Sequence, residues 1–334
     1  MKIGEMSESN RTEAPDVFVM VPLHNHAKYI ERCLRSIFAQ TLHPIKLLVI
    51  DNGSTDDSAA VAERVLMDCP FPSELISHED RGLCSSLNEG FAASYGKYFA
   101  YLGSDDIWFP RFLEQRVKLL EPRPNAVIGY GHANYIDEND QIYGSTTDPH
   151  GYGVDFVDGD VREMLVNVEV PISPSVFYRR SALESVSWNE DSILEDYEMY
   201  LKLMTIGEFA FDPEILAAWR KHSHNTSDNF ISMHYEVLDA QRRHFASLGI
   251  SEAEFQHRHT KMRFRHARIH LQHGEKGTAL KLALGNWRGS RSRSELARFT
   301  MRLLIPMFLI NAKRKYSKKR GNSIETLHSN PFKN

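Results

Sequence analysis

The chain has 334 residues, enough for one large domain or two modest ones. Its net charge of −4 gives no global attraction for nucleic acid. The three cysteines, Cys33, Cys69 and Cys84, lack CxxC spacing, so they point to neither a disulfide framework nor a thiolate zinc site and suit a reducing cytoplasm. No apolar run approaches the ~20 residues of a membrane span, and residues 1–15 read as a polar, disordered lead-in rather than a signal peptide.

The run from Val17 to Val21 predicts a strand buried on both faces, closed by Pro22 and followed by a polar loop through His26. Tyr29, Ile30, Cys33, Leu34, Ile37 and Phe38 then recur at helical spacing, so a helix is expected over 27–40. A second strand, Ile45 to Ile50, runs into Asp51, Asn52 and Gly53, with Ser54 or Thr55 as cap for a helix to about Met67. Leu75 to His78 is a short third strand, and a helix follows from Arg81 to Ala93. The fourth strand is Tyr98 to Leu102, and a helix from Pro110 to Leu120 comes after it. This alternation implies a parallel sheet with helices on both faces, and the loops after strands one, two and four then lie at one end.

The fourth strand breaks at Gly103 and Ser104 and presents Asp105 and Asp106. Carboxylates at the edge of a core are costly without a cation or donors. A divalent metal with hard oxygen ligands meets that cost; a solvated turn with Asp106 capping the next helix is the other reading.

Beyond Pro124 the pattern changes. Val127 to Ile136 and Gln141 to Tyr143 read as strands joined by a turn at 137–140, and 144–160 as a Gly- and Asp-rich mobile loop over the site. Another strand is expected over 172–178, a helix over 195–204, and two short strands over 209–211 and 215–219. Residues 230–274 read as two helices divided near Gly249. In the basic segment beyond them, Leu296, Phe299, Leu303, Leu304 and Met307 mark an apolar face flanked by arginines. It suits either a membrane interface, through 290–316, or a helix packed on the catalytic domain with a solvated basic face. Residues 317–334 read as a disordered tail.

Several motifs stand in order: Val21 to Asn25, Ile50 to Asp56, Arg81-Gly82 with Asn88 to Gly90, Ser104 to Trp108, Glu195-Asp196, and Arg220 to His222. With these, residues 16–225 resemble a family 2 glycosyltransferase of the GT-A fold, a Rossmann-like, mostly parallel sheet flanked by helices. Residues 226–316 form a helical C-terminal region. Two positions depart from the family pattern: Asn52 replaces a common Asp, and Gly103 replaces the first acid of the metal motif.

The resemblance implies transfer of a sugar from a nucleotide-diphosphate donor, with UDP favoured, to a hydroxyl of a glycan or lipid-linked acceptor in polysaccharide biosynthesis. It implies Mn²⁺ or Mg²⁺ on Asp105, with His222 as a further ligand or a donor to the diphosphate. Pro22, His24, Asn25, Asp51, Arg81, Asn88, Ser104 and Asp105 would face the nucleotide sugar, with Asp51 reading the base. Trp108 and Glu195 would lie on the acceptor side. Asp196 would act as general base in an inverting displacement; its place at a helix start lowers its basicity, whereas Glu195 and the diphosphate raise it. The expected location is the cytoplasm, peripheral on the inner membrane face. A nucleotidyltransferase is disfavoured because no glycine follows strand one, and a Rossmann dehydrogenase because no GxGxxG follows any strand. A non-catalytic nucleotide or sugar binder is the remaining alternative.

Overall fold

A computed structural model describes residues 16–148, 154–222 and 230–305. The expected lead-in, the centre of the expected loop over the site, and everything after 305 lie outside the described residues. The described chain forms two compact units, 16–165 with 169–222 and 166–168 with 230–305.

The first unit is built on one sheet. Its first four strands are β1 (Val17–Leu23), β2 (Lys46–Asn52), β3 (Ser73–His78) and β4 (Tyr98–Tyr101). They are parallel, in the order β3-β2-β1-β4. Three helices connect them: α1 (Ile30–Phe38), α2 (Ser58–Leu66) and α3 (Leu83–Ala92). β1 is buried along its whole length because helices cover both faces, which is why it reads as an unbroken apolar run. Gly90 of α3 crosses β1 so closely that a Cβ there would meet the Met20 sulfur at 2.2 Å. The cap of α2 differs from expectation: Asp57 precedes it without a side-chain cap, and Ser58 N–H donates instead to Asp56 Oδ1 at 3.0 Å.

The other half of the sheet is mixed. It contains β5 (Ile107–Trp108), β6 (Ala126–Ile136), β7 (Ile142–Ser145), β8 (Phe177–Arg179) and β9 (Glu208–Arg220), with α4 (Phe112–Leu120), α5 (Arg162–Val166), α6 (Arg180–Leu183) and α7 (Glu195–Leu203) between them. The order continues β4-β8-β6-β9-β5, with β7 paired to β6. β8 runs antiparallel to both neighbours. The segment 172–178 is a 3₁₀ turn over Ser173–Ser175 that enters this short strand, not a strand throughout. The two strands expected around Pro213 are one, β9, whose pairing with β6 shifts register beside Gly131. A bulge of this kind accommodates a proline that cannot donate to the ladder.

The second unit is helical: α8 (Phe230–Leu248), α9 (Glu252–His273), α10 (Lys276–Asn286) and α11 (Arg293–Leu304). Ser251 caps α9 by accepting from Glu254 N–H at 3.1 Å, and Gly274 ends it in the left-handed region at φ +92°. Most of the apolar face of α11 that could meet either lipid or protein is turned inward. Phe299 is buried against Phe264, and Leu296 and Leu303 pack on the same cluster with Ala267, Leu271 and Ala279. α11 thus packs on α9 and α10 within the second unit, while Leu304 stands 78 % exposed; 306–316 lie outside the described residues. No described helix is long and apolar enough to cross a membrane.

Candidate active site

The register aligns Leu23 with Asp51 and Met20 with Tyr101, so the loops after β1, β2 and β4 leave the sheet side by side. The first two are stitched together. Asn25 N–H donates to Ser54 Oγ at 2.9 Å, Thr55 N–H donates to Asn25 Oδ1 at 2.8 Å, and His26 N–H donates to Ser58 Oγ at 2.8 Å. Asn25 has φ +53°, a left-handed conformation that asparagine tolerates. His24 Nδ1 lies 2.7 Å from Asn52 O and is exposed. Asp51 is buried at the end of β2, accepting from Ser54 N–H at 3.3 Å.

Asn52 has a structural reason. Its amide donates to Asp80 Oδ1 at 2.5 Å and accepts from Arg81 N–H at 2.9 Å. A carboxylate there would repel Asp80. Gly53, at φ +70°, brings the backbone so near that a Cβ would meet Asp80 N at 2.5 Å. Arg81 lies half-exposed beyond this turn, its guanidinium bonded to Glu89.

The β4 loop carries the densest chemistry. His222 Nε2 lies 3.0 Å from Asp105 Oδ2, and His26 Nδ1 lies 3.8 Å from Asp105 Oδ1 and 2.8 Å from Ser104 Oγ. One donor atom from each of His26, Asp105 and His222 falls within 4.8 Å of the others. Burial pushes the Asp105 carboxyl up, but the His222 hydrogen bond and the nearby His26 outweigh it, leaving it below the usual carboxylate range. Burial drives His26 down, against the pull of Asp105. Gly103 supplies no donor, and a Cβ there would sit 2.9 Å from Asp106 Oδ2 and 3.1 Å from Asp105 Oδ1.

Arg220, 1 % exposed, holds this loop in place. Its Nε donates to Asp105 O at 2.7 Å, Nη1 to Asp137 O at 2.7 Å and Nη2 to Asp140 Oδ1 at 2.5 Å. Its backbone N–H donates to Asp106 Oδ1 at 2.8 Å, so Asp106 is a buried anchor and not the cap of the following helix. Burial and the Asp105 charge raise the Asp106 carboxyl well above its ordinary value. The Arg220 guanidinium lies 4.9 Å from the Tyr29 ring centre, and Tyr29 stacks on His222 at 4.9 Å.

A second acidic pair opens α7. Burial raises Glu195, which accepts from Ser173 Oγ at 3.3 Å. Burial, and then the Glu195 charge, lift Asp196 to about 8, although Tyr197 N–H donates to its Oδ1 at 2.6 Å. The first turn's dipole is therefore outweighed. α3 pins the approach to α7: Asn88 Nδ2 donates to Trp188 O at 3.0 Å, and Trp188 N–H donates to Asn88 Oδ1 at 2.9 Å.

The comparison with protein families matches residues 18–187, just over half of the chain, to the model described as Glycosyl transferase family 2. The chain belongs to that family. An uncharacterized glycosyltransferase of Rickettsia prowazekii is 25% identical over 234 residues, 68% of this chain and 70% of that protein. The chondroitin synthase of Escherichia coli is 26% identical over 76% of this chain, which spans only 36% of it. Among solved structures, Staphylococcus aureus TarS 1–349 in complex with UDP-GlcNAc superposes with a TM-score of 0.59 at 15% identity, covering 92% of each chain. The mannosyltransferase PcManGT of Pyrobaculum calidifontis, in complex with GDP-Man and Mn²⁺, gives 0.57 at 18% identity, covering 92% of this chain and 84% of that one. These similarities show the fold, which is the expected GT-A fold.

Within this family 2 domain, the structure brings His24, Asn25, Asp51, Ser104, Asp105 and His222 to one end of the sheet. Pro22 is buried within β1. Trp108 is not the acceptor platform expected: it is 1 % exposed, stacks on Phe112 at 4.3 Å and donates its indole N–H to Pro174 O at 2.7 Å. Asn88 is bonded to Trp188 and, through Nδ2, to Glu190 Oε1 at 2.8 Å. His26, Tyr29 and Arg220 received no role from the sequence. His26 meets Ser104 across 78 positions, a separation at which no local spacing carries a signal.

Proposed function

We propose that this chain transfers a sugar from a nucleotide-diphosphate donor, with UDP favoured, to a hydroxyl of a glycan or lipid-linked acceptor, inverting the anomeric centre and serving polysaccharide assembly. The observation that carries the reading is the His26, Asp105 and His222 cluster at the end of β4, in a family 2 domain that also holds the Glu195 and Asp196 pair. Two imidazoles and an ionised carboxylate fit a divalent cation and suit Mn²⁺ better than Mg²⁺. When bound, such a cation neutralises charge on the departing diphosphate.

The chain's own residues do the rest. Asp51 accepts an N–H of the base, and His24 borders the nucleotide face. Arg81, beside the loop held by Asn52, offers its guanidinium to phosphate on leaving Glu89. Asp196 takes the acceptor's hydroxyl proton as the acceptor oxygen bonds to the anomeric carbon, while the bond from that carbon to the diphosphate breaks with its electron pair leaving on phosphate. One displacement from the opposite face inverts the centre. Glu195 raises the proton affinity of Asp196 toward that of a base working near neutral pH.

Calorimetric titration of UDP, GDP and dTDP, with and without Mn²⁺, tests this reading. Mn²⁺-dependent binding of one of them is expected, followed by turnover of the matching sugar donor. Binding without turnover of any donor sugar would support the non-catalytic alternative, and no binding of any nucleotide would overturn both.

A further inference from the structure

The charge of this chain is divided unevenly. Residues 1–225 hold 19 Lys and Arg against 36 Asp and Glu, a net −17, whereas residues 226–334 hold 21 against 8, a net +13. The small overall charge conceals two opposed halves.

Within the basic half, α10 is oriented against expectation for a packed helix. Ala279 and Ala283 face the core, while Leu280, Leu284 and Trp287 stand 44, 70 and 51 % exposed. Their spacing of four and then three residues places them on one face. A helix that buries its alanines and shows its leucines to solvent presents an unpartnered apolar stripe. No acidic residue occurs in α10. Lys281, Arg288 and Arg291 are exposed around the stripe, and the Arg288 guanidinium lies 5.3 Å from the Trp287 ring centre. Leucines ending in a tryptophan, rimmed by cations, match what an anionic lipid interface selects.

We propose that α10 docks this chain onto an anionic bilayer surface, laying Leu280, Leu284 and Trp287 among the acyl chains at the headgroup boundary while the surrounding cations meet the headgroups. Positive charge spread over residues 226–334 suits a delocalised anionic surface better than a discrete acidic protein groove. Since no described helix is long and apolar enough to cross, the contact lies on the surface. The surface thus sits on α10, and not on the inward face of α11.

The test is co-sedimentation of the full chain with vesicles of phosphatidylcholine alone and with about one-third phosphatidylglycerol. Wild type is expected to bind the anionic vesicles at least tenfold more tightly, with affinity falling as salt rises. Replacing both Leu284→Glu and Trp287→Glu, at exposed positions, should cost at least tenfold. Trp287→Phe should keep binding but remove the blue shift of tryptophan emission on vesicle addition. Equal partitioning of the double variant and wild type, or no preference for anionic vesicles, overturns the proposal. So does dissociation of an oligomer by the double variant in sedimentation velocity, which would make the stripe a self-association face. Nucleotide titration reads the first unit separately, so this test stands whatever the outcome there.

Discussion

The two acidic regions of the first unit are both half-buried, yet they behave in opposite ways. At Asp105, two imidazoles stand against the carboxylate and keep it below the usual range despite burial. At Asp196 the charged neighbour is another carboxylate, so burial and repulsion add and lift it to about 8. Desolvation is common to both sites, and the sign of the neighbouring charge decides the outcome. On the proposed reading, one site is thereby set to hold a cation and the other to hold a proton.

The sharpest way to break this contrast is Asp196→Asn. Removal of a general base costs on the order of 10²–10⁴ in rate, so turnover should fall by about that factor while nucleotide affinity changes little. Residual turnover within tenfold of wild type would sink the role. The same variant should raise thermal stability at alkaline pH. A carboxyl whose folded value, about 8, exceeds its ordinary 3.8 contributes stability that is present at low pH and lost as pH rises through 8. Melting curves of the two proteins should therefore draw apart as pH rises from 3.8 to about 8 and stay furthest apart beyond it, with the variant higher.

On the other side, His222→Ala should weaken Mn²⁺ binding by at least about tenfold, read by paramagnetic resonance of free Mn²⁺ in a titration. Unchanged affinity would remove His222 from the cation's ligands. The pH profile sharpens the contrast next. Because Asp196 must be ionised to accept a proton, kcat/KM should fall about tenfold per unit below pH 8 and level off above it. A limb centred near 4 would mean that the carboxylate is not held up as described.

The smallest effect tests the rule of neighbouring charge away from both sites. Asn52→Asp would set a carboxylate against Asp80 and should destabilise the protein by about 1–3 kcal/mol at neutral pH. The loss should shrink as pH falls through the carboxylate range, as denaturant titration at pH 7 and pH 4 would show. A uniform loss at both values would point to packing, not charge.

The sequence by itself determined the local framework. β1, β2 and β4 were legible because strands buried on both faces read as unbroken apolar runs, and the polar residues that end them mark the carboxyl edge of the sheet. α7, α8 and α9 followed from helical spacing and from Gly249 and Gly274, which only a left-handed end requires. α10 escaped, since its leucines face outward and its inward face is alanine, which periodicity does not distinguish. The tertiary structure decided what depends on distant partners. It put antiparallel β8 between β4 and β6, buried Trp108 against Pro174, and turned Asn88 to Trp188. It brought His26 and His222 to Asp105 and raised Asp196 through burial beside Glu195. Those outcomes are set by desolvation and by charges tens of residues away, and neither is written in the spacing of neighbouring side chains.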